Sequence, residues 1–308
     1  WLDLARRNNG RLYTTWNTTK QEEGGGTRTG RLSSSKPLNL QNIPNDFEEK
    51  FGALFAEQKL YDTLDVGELP VMRNYIVADS PDHVLLGRDF SSQEPRTFAH
   101  FEGGWLMREY CSKPTMDVYR AMMARTEELS GVTMSRKQAK VVFLGILYGM
   151  GIAKLAAQLG ISTGDADRIK QALLTAIPSI ATLSRDVKRE LQSGSFIRTW
   201  GGRAYHVEPP KTINGENRTF EYKGLNILIQ GSAADETKEA LLRYNEARGS
   251  SRLVLQVHDE LVICALREEA AREMATLKAL MENLELDVPM LSEGEVGYRW
   301  GGMEEFVE

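Results

Sequence analysis

Two kinds of apolar spacing alternate along this 308-residue chain. Val84 to Leu86 and Leu253 to Val257 are short, largely apolar runs bounded by turn-forming or charged residues, which predicts buried strands. The second run resumes as Leu261-Val262-Ile263 after His258-Asp259-Glu260, so it predicts a hairpin with a polar tip. Between the two, the period changes to that of a helix: Asp117 to Leu129, Ser135 to Tyr148, Thr163 to Thr175 and Ile180 to Gly194, with Ser135 as an N-cap and Gly149 as a stop. Glu268 to Asn283 predicts another amphipathic helix, and Gly294 to Trp300 a final strand. Gly24-Gly25-Gly26 and Gly201-Gly202 predict loops, and no internal repeat is visible. The pattern as a whole is a strand-bearing platform drawn from both ends of the chain, interrupted by a helical insertion over roughly residues 105–210.

With 41% apolar and 26% charged residues, the chain has material for a substantial core in one large domain or two. Its net charge of -5 does not by itself point to a polyanionic partner, but the charge is unevenly spread. Residues 1–44 carry seven basic side chains against three acidic ones, and residues 265–308 carry four against eleven. Such a gradient could orient a polyanion, although charge runs are more often solvated faces. Cys111 and Cys264 belong to no CxxC or Cys/His cluster, so neither a disulfide framework nor a structural zinc site is expected. The apolar stretch Val141 to Ile152 is too short for the ~20 residues of a membrane-spanning helix. Trp1 in place of Met predicts that the chain starts within a longer protein.

Two aspartates follow the predicted strands, Asp89 in HVLLGRDFSSQEPR and Asp259 in RLVLQVHDELVI. If those strands lie side by side, the acids converge where two divalent ions can clamp a phosphoryl displacement. Turn-capping aspartates read the same way when taken alone. Arg136, Lys140, Leu144 and Tyr148 are spaced by four and form one helix stripe of two cations, an apolar surface and an aromatic ring. That stripe matches a nucleoside triphosphate lying along a helix, and it also matches an ordinary amphipathic helix with its cations in water.

Five segments, taken in order, resemble the motifs of the family A DNA polymerases, the bacterial DNA polymerase I group and its phage relatives. They are TGRLSSSKPLNLQNIP, RDFSSQEPR, RKQAKVVFLGILYG, NILIQGSAADE and VHDE, and the likeness runs from about Gly10 to Trp300. It implies an α+β fold: a polymerase palm with an antiparallel sheet plus a helical fingers subdomain, with the thumb largely absent from this chain. The palm is expected at 1–104 and 211–308 and the fingers at 105–210. The implied reaction is template-directed attack of a primer 3' hydroxyl on a deoxynucleoside triphosphate by a two-metal-ion mechanism, with no proofreading site in this chain. Primer-template DNA and deoxynucleoside triphosphates are the implied partners, Mg²⁺ (two ions) the cofactor, and the cytoplasm of a bacterium or phage-infected cell the location, without a membrane.

The same resemblance assigns residues. Asp89, Asp259 and the backbone carbonyl of Phe90 are the expected metal ligands, with Glu260 in support and His258 near the primer end. Arg136 and Lys140 are expected on the triphosphate, with Lys140 also giving a proton to the leaving pyrophosphate. Leu144 packs on the sugar, Tyr148 stands at the templating-base position, and Glu94, preceded by Gln93, closes off the sugar 2' position. Asn226 and Gln230, with Tyr222 one turn earlier, face the minor groove. Arg31, Ser33, Asn39, Gln41 and Asn42 line the primer-template path, and Arg203 adds a basic contact.

Four positions depart from the family pattern, one of them Tyr222, which stands where a basic residue is common. Leu144 stands where Phe or Tyr is usual, Gln93 is polar where an apolar residue is usual, and Leu38 is a one-residue insertion. Glu94 argues against a single-subunit RNA polymerase. The joint presence of Asp89, Asp259, Arg136 and Lys140 argues against a non-catalytic remnant.

Overall fold

A computed structural model of the chain describes residues 2–20, 25–43, 71–213 and 215–307. After a short helix α1 (Leu2–Arg7), strands β1 (Thr15–Asn17) and β2 (Ser33–Ser35) form an antiparallel ribbon. Strand β3 (His83–Phe90) leads into helix α2 (Gln93–Glu102). Helices α3 (Trp105–Ser112), α4 (Val118–Ser130), α5 (Arg136–Leu147), α6 (Ile152–Leu159), α7 (Thr163–Ala176) and α8 (Pro178–Gln192) follow. Two small ribbons, β4 (Ile197–Arg198) with β5 (Ala204–Tyr205) and β6 (Lys211–Ile213) with β7 (Glu216–Arg218), precede the long helix α9 (Gly224–Ala247). The chain then supplies β8 (Arg252–Val257), β9 (Glu260–Leu266), helix α10 (Ala270–Glu282), β10 (Ser292–Gly297) and β11 (Glu304–Glu305).

These elements group into two compact units, residues 1–91, 237–283 and 292–308 in one and 92–236 with 284–291 in the other. The first holds an antiparallel five-stranded sheet in the order β11-β10-β3-β9-β8. One side of the sheet carries Leu85, Leu255, Val257, Val262 and Cys264 into a core with Leu38, Leu40 and Ile43. The second unit is helical, and its core gathers Phe98, Leu106, Met122, Phe143, Leu147, Leu173 and Ile229 from most of its helices. Local chemistry sets the helix ends. Asp117 and Ser162 accept backbone N–H bonds at the starts of α4 and α7, and Gly131 and Gly160 close α4 and α6 in left-handed conformations. Among the described residues no helix is long and apolar enough to cross a membrane.

Several elements depart from the pattern reading. Strand β3 continues past the apolar run because Arg88, buried at 2% exposure, donates to Ser292 Oγ at 2.7 Å and to the Ser292 carbonyl at 3.0 Å. Helix α2 was not expected, although Pro95 in its first turn costs little there. Its Phe98 and Ala99 enter the helical core, as do Leu225 to Ile229 of α9, so the helical unit extends beyond residues 105–210 at both ends. Tyr222 lies in a 3-10 turn before α9 rather than on the helix with Asn226 and Gln230. The final strand ends at Gly297, and Trp300 opens a 3-10 turn. Of the predicted glycine loop at 24–26, Gly24 lies outside the described residues.

Candidate active site

Strand β3 is hydrogen-bonded on both sides, which fixes where its last residues point. Asp89 lies directly opposite Glu260 on β9 and Glu293 on β10. Opposed residues of antiparallel strands project from one face, so the three carboxylates lie on the same side of the sheet. Asp259 occupies the tight turn between β8 and β9, where His258 takes a left-handed φ of 59° and the Phe90 N–H donates to the Asp259 carbonyl at 3.4 Å. Asp89 and Asp259 come together although β3 and β8, the strands that precede them, are not neighbours but are separated by β9. Gly87 lies two residues back on that face, where an added Cβ would sit 2.9 Å from Glu260 Oε1.

The cluster is electrostatically costly. Asp89 reaches solvent, yet desolvation by the protein packed around it and then the charges of Asp259, Glu260 and Glu293 raise its carboxyl well above the usual range. Desolvation also raises Glu260, against the pull of Arg73. Arg73 lies with its guanidinium 4.0 Å over the Trp300 ring and donates to the Ile43 carbonyl at 3.2 Å. His258 is held below its ordinary value by desolvation and by Arg31 and Arg73, with Asp259 opposing them. A carboxyl whose proton affinity is raised by neighbouring acids is one that a cation stabilises. Among the described residues no three His, Cys, Asp or Glu side chains are grouped to hold a metal ion. A carboxylate pair completed by backbone, substrate or water oxygens is the kind of donor set that suits magnesium.

In the helical unit, the stripe on α5 is intact. Ser135 caps the helix by accepting from the Gln138 N–H at 3.2 Å, while Gln138 Oε1 accepts from the Ser135 N–H at 2.8 Å. Arg136 and Lys140 are exposed and Leu144 is half-buried. Tyr148 forms the C-cap, before Gly149 turns the chain at a φ of 65°. Arg136 Nε donates to Asp117 Oδ2 at 2.7 Å, and its guanidinium lies 5.4 Å from the Tyr119 ring, with Lys140 Nζ at 5.9 Å. Burial and then the nearby Glu94 push the Tyr119 phenol up to about 12. The Tyr148 hydroxyl donates to the Glu94 carboxylate, so Glu94 and the stripe share one neighbourhood.

The remaining predicted residues divide by exposure. Asn39 and Asn42 are exposed, with Asn39 capping the turn Leu40–Asn42 through the Gln41 N–H at 3.1 Å. Ser33 Oγ accepts from Asn17 Nδ2 at 3.3 Å and from the Gly26 N–H at 3.1 Å. Gln41 is buried and serves as a strut: its amide donates to the Leu32 and Gln256 carbonyls, each at 3.2 Å, and accepts from the Ser34 N–H at 3.0 Å. Gln256 in turn donates to the His258 carbonyl, so Gln41 braces the turn that carries Asp259. Arg203, still partly exposed, is bonded to Asp235 at 3.0 Å and to the Gly231 carbonyl at 3.1 Å. Gln93 is buried, donating to the Ala233 carbonyl at 2.9 Å. Asn226 and Gln230 are half-buried on α9, and Asn226 Oδ1 finds no hydrogen-bond partner among the described residues. Pattern reading missed Arg73, Glu293 and Asp117. Only Asp117 left a signal, as an acid at a predicted helix start.

Comparison with known proteins identifies the family. The DNA polymerase family A model matches residues 1–302. DNA polymerase I of Lactococcus lactis subsp. lactis is 32% identical over 286 residues, covering 89% of this chain and 30% of the relative. DNA polymerase I of Caldicellulosiruptor bescii is 32% identical over 309 residues, covering 97% of this chain and 33% of the relative. The chain thus spans about a third of the length of the curated relatives it matches. Among solved structures, the POL domain of Pol1 from M. smegmatis, in complex with DNA primer-template and dNTP, superposes with a TM-score of 0.76 at 27% identity. That match covers 95% of this chain and 48% of the other.

Proposed function

Because the chain belongs to DNA polymerase family A, we propose that it extends a primer 3' end on a DNA template, transferring deoxynucleotides from their triphosphates and releasing pyrophosphate. The observation that carries this reading is the convergence of Asp89 and Asp259 at the tip of adjoining strands, ringed by Glu260 and Glu293. The sheet unit serves as palm and the helical unit as fingers. Family A polymerases generally use divalent metal ions, and here Asp89, Asp259 and the Phe90 carbonyl would hold two Mg²⁺. Bound there, the ions supply Lewis-acid activation of the primer hydroxyl and charge neutralisation on the phosphate.

The chain's own groups do the rest. Arg136 and Lys140 bind the triphosphate, and Lys140 gives a proton to the departing pyrophosphate oxygen. Leu144 packs on the sugar. Glu94, fixed by the Tyr148 hydroxyl, occupies the space a ribose 2' hydroxyl would need. Asn226 and Gln230 probe minor-groove acceptors common to every base pair by donating their side-chain amide N–H groups. Arg31, Ser33, Asn39 and Asn42 guide primer and template. Gln41 and Arg203 act by holding the catalytic turn and α9 in place. Glu260 supports the aspartates, and His258 stands by the primer end, in the cytoplasm of a bacterium or phage-infected cell.

The test is primer extension with Mg²⁺ and each of the four deoxynucleoside triphosphates supplied singly against each template base. The expected result is extension only by the complementary nucleotide. Extension without regard to the template base, or none at all, overturns the reading.

A further inference from the structure

Glu236 is the most deeply buried acid of the helical unit, with no exposed surface, and the polymerase chemistry above leaves it unused. It sits on α9. Gln93 Nε2 donates to its Oε2 at 3.0 Å, and Thr97 Oγ1 lies 2.9 Å from Oε1 and 3.0 Å from Oε2. The same Thr97 hydroxyl lies 3.0 Å from the Gln93 carbonyl one helical turn back.

Counting protons decides how this cluster is closed. Thr97 has one hydroxyl proton, and two acceptors compete for it. With Glu236 ionised, that proton goes either to the carboxylate or to the Gln93 carbonyl, and one of them goes without it. With Glu236 protonated, its O–H donates to Thr97, Thr97 donates to the Gln93 carbonyl, and Gln93 donates back to the other carboxyl oxygen, so each proton has one acceptor.

The surrounding charges favour the protonated form. On its own helix the nearest acid is Asp235, paired with Arg203 at 3.0 Å; on α2 it is Glu94. Arg96 of α2 is spent on the Pro289 and Pro114 carbonyls, each at 2.6 Å. The charged residues of α3 and α8, which pack on α2, are exposed or partly exposed. Burial lifts the Glu236 carboxyl, the Thr97 and Gln93 donors oppose the lift, and Asp235 and Glu94 add to it, leaving the group at about 8.

The cluster sits directly behind the residue that reads the sugar. Gln93 immediately precedes Glu94, whose carboxylate accepts the Tyr148 hydroxyl. We propose that Glu236 is a positioning residue for nucleotide selection: through Gln93 and Thr97 its buried carboxyl fixes the first turn of α2, and with it the aim of Glu94. This rests on the reading of Glu94 as the group that excludes a ribose 2' hydroxyl. Ionising Glu236 draws the Thr97 proton away from the Gln93 carbonyl and places a second negative charge behind Glu94, loosening the gate.

The test compares incorporation of a deoxynucleotide and the matching ribonucleotide, each as kcat and KM, from about pH 7 to about pH 9. It uses the wild-type chain, Glu236→Gln and Thr97→Val. The wild-type preference for the deoxynucleotide is expected to fall on the order of tenfold across that range, through a lower KM for the ribonucleotide. Glu236→Gln keeps the preference of the wild type at pH 7 and holds it flat with pH. Thr97→Val lowers the preference at every pH. Parallel pH profiles for the wild type and Glu236→Gln, or an unchanged preference in Thr97→Val with deoxynucleotide incorporation intact, overturn the inference alone. Absence of deoxynucleotide incorporation by the wild type overturns the polymerase reading and this inference with it.

Discussion

The acids at the sheet tip and the cations on α5 are built in opposite ways. At the tip, desolvation and then the charges of Asp259, Glu260 and Glu293 raise the proton affinity of Asp89, and desolvation raises that of Glu260. Arg136 and Lys140 stand a turn apart on an exposed helix face, Arg136 already paired with Asp117 and both lying near the Tyr119 ring. The tip is destabilised by its own like charges, whereas the exposed stripe costs the fold almost nothing. Like-charge repulsion thus marks one region and an indifferent solvated surface the other. Substitutions in the two regions should separate activity from stability differently.

The largest expected effect is on chemistry at the tip. Replacing Asp89 or Asp259 by Ala should slow single-turnover nucleotide incorporation by roughly a thousandfold or more, with the fold retained by circular dichroism. Wild-type rates in both variants would remove the tip from the mechanism. On the stripe, Arg136→Ala and Lys140→Ala should each lower kcat/KM for the nucleotide by roughly a hundredfold. Their thermal stability should match the wild type, because both side chains are exposed; a large loss of stability would mean that the stripe is structural.

Leu144→Phe should change the rate and the selectivity between normal and dideoxy nucleotides by roughly threefold to tenfold, with DNA affinity unchanged. Equal kinetics for the two proteins with both sugars would exclude that role. The smallest effect is also the one that best separates the regions. Asp89→Asn should stabilise the metal-free protein by ~0.5–1 kcal/mol, the scale of an opposed like-charge pair on a sheet. The sign follows from linkage. A carboxyl whose folded pKa is raised contributes stability that is present below its unfolded value and lost as pH rises through the folded one, so Asn should flatten that decline. Denaturant titrations across pH in a chelator measure it, and a destabilised Asp89→Asn at neutral pH would contradict the repulsion.

Much of this was legible in the sequence, for identifiable reasons. The helices with polar caps, α4, α5 and α7, and the β8–β9 hairpin follow from periodicity and turn chemistry, which are local. So does the stripe, since spacing by four needs only a helix. The carboxylate ring required register: nothing local places Glu293 opposite Asp89, more than two hundred residues away. Arg88 and Glu236 broke the expectation that charged side chains face water, because their partners lie far along the chain. Gln41 and Arg203 carried a family role that reads as DNA contact, while their hydrogen bonds make them braces. Helix α9 buries residues on most sides of its first half, so it shows little of the one-sided pattern that betrays a surface helix.

Metal binding at the sheet tip is the claim on which the rest depends. Mn²⁺, which is paramagnetic, can be titrated by electron paramagnetic resonance into the chain with a dideoxy-terminated primer-template and the next nucleotide. The wild type should bind two ions per chain and Asp259→Asn should lose at least one of them. Equal stoichiometry and affinity in the two proteins would contradict the assignment of Asp89 and Asp259 as the metal site.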